Sequence, residues 1–234
     1  MMFRIMFRAS RHFLSFLICA ALSVPALRAH TLAQTPPSSS SNSAKHIKKS
    51  SATNSDLDPG TVTNNLYRNK TLALSCKIPD GWVLRTEDMN ERDEETDKAE
   101  PVPSAASAAS KVLLAAFSRP PEARAEDVNS SILIAIEPAS TYPGLKDASQ
   151  YFGPLTEVAK AQGFVIDEDP YEIAVGAKTL ARADFHKDVG TRVLHQSTLA
   201  MLSHGFAVSI TLIAGTEDEI EELIDGLTFS PTGK

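Results

Sequence analysis

The chain has 234 residues, with 23 basic against 29 acidic side chains and a formal charge of −6. That length suits one domain of ordinary size with flanking segments. The acid excess argues against nucleic-acid binding, which calls for a basic stripe, and against docking on anionic membranes.

The chain opens with Arg4, Arg8 and Arg11, runs apolar from Phe13 to Leu27, and then offers Leu27-Arg28-Ala29 or Thr31-Leu32-Ala33 for cleavage. Charge, a short apolar core and small residues in that order read as a secretory signal peptide over residues 1–33. A retained anchor is the rival, but Arg11 and Arg28 bracket a run that contains Pro25 and falls short of the ~20 apolar residues a span needs. Acylation at Cys19 is disfavoured by the bulky Ile18 before it. The mature protein is therefore expected to be secreted or periplasmic, with no membrane span after cleavage. It would keep 19 basic and 29 acidic residues, and Cys76 as its one cysteine. A lone thiol cannot staple its own fold, and Cys76 sits in the alternating run Leu72, Leu74, Cys76, Ile78, which places it in the core.

Residues 34–65 are rich in Ser, Thr, Asn and Pro and carry the basic cluster Lys45-His46-Ile47-Lys48-Lys49. They read as a flexible linker, since their composition offers little apolar surface to bury. A single domain is expected over 66–231. Lys70–Ile78 alternates as a strand, Pro79-Asp80-Gly81 turns, and Trp82–Arg85 returns. The acidic, then Pro-Ser-Ala-rich stretch 87–110 is expected as a disordered insertion. It lacks the Asp-x-Asp-x-Asp-Gly spacing and the turning glycine of a calcium loop.

Val112–Phe117 and Ile132–Ile136 are apolar on both alternating faces, so both faces of the sheet need cover. Leu145–Gly163 has helical spacing, with Gly153-Pro154 expected to kink or split it. Tyr171–Val175 is followed by a meander of Ala177–His186, Arg192–Ser203 and Phe206–Ile213, turning at Gly190 and at His204-Gly205. The closing helix is announced by Thr216 with Glu219 three residues later, a capping pair. Its stripe of Ile220, Leu223, Ile224 and Leu227 marks it as a packing element rather than a site. The fold class expected is α+β: a mainly antiparallel sheet with helices on both faces, an α/β/α sandwich.

This order of elements, with the turn Pro79-Asp80-Gly81-Trp82, a middle helix, a long meander and an acidic last helix ending in Leu227-Thr228-Phe229, resembles the PsbP/DcrB-like domains. These share their fold with a Ran-binding nuclear transport factor. The resemblance covers roughly Leu66 to Pro231 and implies a small exported adaptor or accessory subunit. It carries over no site residues.

Candidate chemistry is sparse. His186, His195 and His204 cluster in the meander, and a hairpin register that brings His186, His195 and Asp184 together would offer a zinc-type ligand set. Ser197, His195 and Asp184 would make a hydrolase triad only if they converged, and Ser197 lies mid-strand with no G-x-S-x-G elbow. Trp82 and Tyr67 are aromatic residues near strand ends that read as edge-of-core packing, with a ligand groove as the alternative. Asn69-Lys70-Thr71 and Asn129-Ser130-Ser131 match glycosylation sequons. No phosphate loop, dinucleotide fingerprint, HExxH or CxxC occurs. The expectation is an exported non-catalytic accessory or adaptor domain that needs no cofactor and contacts another protein of the cell envelope. A small-ligand or metal-binding extracytoplasmic protein is the alternative.

Overall fold

The computed structural model describes residues 58–91, 110–123 and 127–231. The expected signal peptide, the linker up to residue 57 and residues 92–109 of the expected insertion lie outside the described residues. The start of that insertion is ordered, not disordered: residues 86–91 form a helical segment, with Asn90 bonded to the main chain of Val112 and Met89 packed on the sheet.

Two antiparallel sheets carry the fold. The smaller is ordered β1 (Thr61–Thr63), β2 (Leu66–Asn69), β3 (Leu74–Lys77) and β12 (Leu227–Phe229). The larger runs β4 (Val83–Leu84), β5 (Lys111–Phe117), β6 (Ser131–Pro138), β11 (Phe206–Ala214), β10 (Arg192–Ser203), β9 (Lys178–Val189) and β7 (Val165–Ile166), with β8 (Tyr171–Val175) also paired to β9. Helices among the described residues include α1 (Phe152–Ala161) and α2 (Glu217–Asp225), besides the short segment 86–91.

The two-sided apolar character of the central strands has the consequence expected of it. The inner face of the large sheet sets Leu114, Ile134, Ile210, Leu199 and Leu180 against Leu74, Cys76 and Phe229 of the small sheet and Ile220 and Leu223 of α2. Its outer face offers Ala181, Ala183, Ala200 and Ala207, whose small side chains admit Phe152, Leu155 and Ala159 of α1 closely. Helices thus cover opposite faces, but the inner cover is shared with a second sheet. The fold is a β-rich α+β arrangement rather than a plain α/β/α sandwich.

Three local expectations shift. Strand pairing starts earlier: β1 lies in the stretch read as linker, pinned by Asp58, whose Oδ1 accepts from Gly60 N at 3.0 Å and whose Oδ2 accepts from Lys70 N at 3.2 Å. The run Lys70–Ile78 does not form one strand. Ala73 has φ +53°, and its N–H bonds Lys70 O at 3.1 Å, closing a turn before Leu74. Finally, Val83–Leu84 pairs with β5, not with β3, because the Pro79–Trp82 turn with Gly81 at φ +82° sends the chain into the other sheet. In α1, Pro154 causes no break. It sits in the first turn, where its missing N–H has no role, after a separate 3-10 turn at Ser149–Tyr151. Among the described residues no helix is long and apolar enough to cross a membrane.

Candidate functional site

The turn after β3 and the exposed side of α2 enclose a groove of about 570 Å³. Asp80, Trp82, Glu219, Glu222 and Asp225 line it, with Lys77 as its one basic side chain. Local chemistry sets each wall. Pro79, Asp80 and Gly81 turn the chain sharply, and Asn65 Nδ2 donates to Asp80 Oδ1 at 2.7 Å, which orients that carboxylate. Trp82 is half-buried, packed against the inner core and lining the groove. On the opposite wall α2 buries Ile220, Leu223 and Ile224, and helical spacing then turns Glu222 and Asp225 outward. Glu219 is committed locally: its backbone N–H donates to Thr216 Oγ1 at 3.2 Å, and its carboxylate accepts from Gly215 N at 2.9 Å. An indole beside several carboxylates suits a cationic side chain, which gains from both the ring face and the field.

Of the residues singled out in the meander, Asp184, His186, His195 and Ser197 lie on the inner face of the large sheet. The β9–β10 register pairs His195 with His186 and Ser197 with Asp184. All four side chains therefore share one face, yet they do not act as a unit. Asp184 accepts from Tyr171 Oη at 2.7 Å and from Arg182 Nε at 2.9 Å, while Arg182 Nη2 donates to Glu221 at 2.6 Å. The Tyr171 phenol is pushed above its ordinary range, first by burial and then by the Asp184 carboxylate it faces. Ser197 Oγ is fully buried without a hydrogen-bond partner, so no base activates it. His186 Nδ1 pairs with Asp167, and His195 Nδ1 stands 3.8 Å from Glu217. Among the described residues no three His, Cys, Asp or Glu side chains gather closely enough to form a ready metal cluster, so Asp184 does not join the two histidines. His204 sits at the far turn with φ +53°, bonded to Ser203.

Cys76 is buried between Tyr67 and Leu227, and burial pushes its thiol up to about 12, which makes it an inert core residue. Tyr67 is buried as well, its hydroxyl donating to Pro59 O at 3.0 Å. Of the two aromatic candidates, only Trp82 meets a groove. Sequence reasoning saw α2 as packing alone and missed its outer acids as a wall. Their surface position was legible in the helical period, but the turn that faces them is more than 130 residues earlier in the chain.

No family model matches the chain, and no curated protein matches it. Among solved structures it is similar to the Pseudomonas aeruginosa protein PA94, of unknown function, at 17% identity and a TM-score of 0.34, covering 48% of this chain and 79% of that one. It is also similar to Mycobacterium tuberculosis LpqN, described as involved in cell envelope biogenesis, at 14% identity and a TM-score of 0.32, covering 68% and 83%. A Bacteroides thetaiotaomicron structure aligns at 12% identity and a TM-score of 0.34, covering 69% and 46%. Likeness at this level carries no argument about activity.

Proposed function

We propose that this chain is an exported accessory module of the cell envelope, built on a PsbP/DcrB-like domain, that works by binding another protein rather than by catalysis. The supporting observation is the groove between the Pro79–Trp82 turn and α2. Its Trp82 ring and the outward carboxylates Glu222 and Asp225 fit a lysine or arginine presented by a partner segment. The leader-like sequence at residues 1–33 supports export, and the element order over the described residues supports the family reading.

Trp82 is the one tryptophan of the chain, so its emission reports on the groove directly. A photo-crosslinking residue at position 222, in the native host, should capture one discrete envelope protein, and the same residue at Glu157 on α1 should not. Addition of a lysine-containing peptide from that protein should then shift Trp82 emission saturably. Asp225→Lys should weaken the binding about tenfold, in line with a local charge reversal of ~1–2 kcal/mol. Equal capture from both positions, or an emission titration that ignores Asp225→Lys, would overturn the groove as the contact.

A further inference from the structure

The two facing histidines of the β9–β10 hairpin have a geometry that the proposed protein contact does not use. Asp167 N donates to the Asp184 carbonyl at 2.9 Å, so the main-chain groups of residue 184 point away from β10. Alternation carries the same direction to His186, whose neighbour on that side is Val165. The β9–β10 register runs without a shift from Arg192↔Val189 to Ala200↔Ala181. His186 and His195 therefore form a non-hydrogen-bonded pair, the kind in which facing residues come closest, with Cα atoms roughly 4.5 Å apart.

The His186 ring is also held from behind, and a carboxylate stands near the other ring. The Asp167 carboxylate is bonded to Nδ1 of His186 while its own backbone N–H is tied to β9, and Glu217, in the first turn of α2, lies 3.8 Å from Nδ1 of His195. A proton on Nδ1 directed at a carboxylate leaves Nε2 as the ring's lone-pair donor, the outer arrangement that orients metal-binding imidazoles. Both side chains reach solvent, at 36% and 23% exposure, so an ion has access.

We propose that His186 and His195 form a two-nitrogen chelate for a divalent transition-metal ion, with Asp167 as the carboxylate that orients the His186 ring and Glu217 close to the other. Imidazole pairs favour borderline ions, and the affinity order of divalent metals puts copper(II) first, with nickel(II) and zinc(II) behind it. Asp184, on the same face, is taken up by Tyr171 and Arg182 and stays outside the site. Water or a partner's side chain fills the remaining coordination positions, which makes this an exchangeable site rather than a structural one.

The test uses the full chain purified without a histidine tag, titrated calorimetrically with copper(II) and with zinc(II). One-to-one saturable binding is expected, tighter for copper, and the copper spectrum should carry the hyperfine pattern of two imidazole nitrogens. His186→Gln and His195→Gln should each weaken binding by at least about tenfold, and Asp167→Asn by a smaller factor. His204→Gln at the distant turn should change nothing. Unfolding midpoints of all variants without metal should match the parent, which separates lost ligands from a lost fold. A spectrum without two nitrogen ligands, or stoichiometric binding that survives the double His186→Gln, His195→Gln change, would overturn the site.

Discussion

Glu137, next to last in strand β6, is only 8% exposed, an uncommon place for a carboxylate. It bonds the hydroxyl of Tyr142, and Tyr151 stacks edge-on against Tyr142 at 5.2 Å between ring centroids. The group thus ties the 139–151 connection down onto the outer face of the sheet. Burial raises the Glu137 carboxyl above its usual range in spite of these bonds. A carboxyl whose folded value lies above its unfolded one binds more protons in the native state, so its contribution to stability falls as pH rises between the two values. Glu137→Gln keeps the shape and a hydrogen-bonding group but carries no charge. Its urea midpoint relative to the parent should be close to unchanged near pH 4 and should rise as pH approaches 7. A difference that is flat in pH would refute the assignment.

At the scale of elements, α2 shows how a short helix is held in place. Its nine residues give too few turns for stability alone, so the cap and the buried stripe decide whether it forms. Thr216 is extended and accepts from Glu219 N, and the three acids of the first turn suit the positive helix end. Thr216→Ala should destabilise by about 1 kcal/mol, read as a lower urea midpoint with an unchanged slope. Since Glu222 and Asp225 stand on this helix, the same change should also weaken partner binding in the groove slightly. The hairpin β9–β10 shows the converse. Its turn at Gly190 was legible from sequence, but the pairing of His195 with His186 rather than with Asp184 was not, because the residues near either register are equally compatible with a strand.

For the whole molecule, the decisive contact joins the two sheets. Gly176, between β8 and β9, has φ +57°, and a Cβ there would lie 2.8 Å from Phe229 O and 2.9 Å from Phe229 N. Only a residue without a side chain lets the large sheet approach β12 this closely, and Ala177 N donates to Phe229 O at 3.1 Å across the junction. Gly176→Ala combines a disfavoured backbone with a main-chain clash. It should cost about 1–3 kcal/mol, measured by chemical denaturation, and it should loosen the small sheet first. Hydrogen exchange at Cys76 and Phe229 would show that order. If the loss were spread evenly over α1 and β6, the junction would not be where the sheets are locked together.

Much of the local structure was determined by the sequence alone: the Pro79-Asp80-Gly81 turn, the Tyr171–Val175 strand, the three long strands of the meander, the Gly163 stop and the Thr216 cap. Each depends on a few neighbouring residues whose backbone preferences act over one or two turns of chain. The strands Thr61–Thr63 and Leu66–Asn69 are not legible in the sequence, because such short strands carry too little alternation to announce themselves. Only the tertiary structure decided that Val83–Leu84 leaves the first sheet for the second, that Trp82 faces Glu222 and Asp225, and that two histidines meet across β9 and β10. Those outcomes depend on pairings between distant segments, and a shift of one residue in register would have sent every one of these side chains to the opposite face.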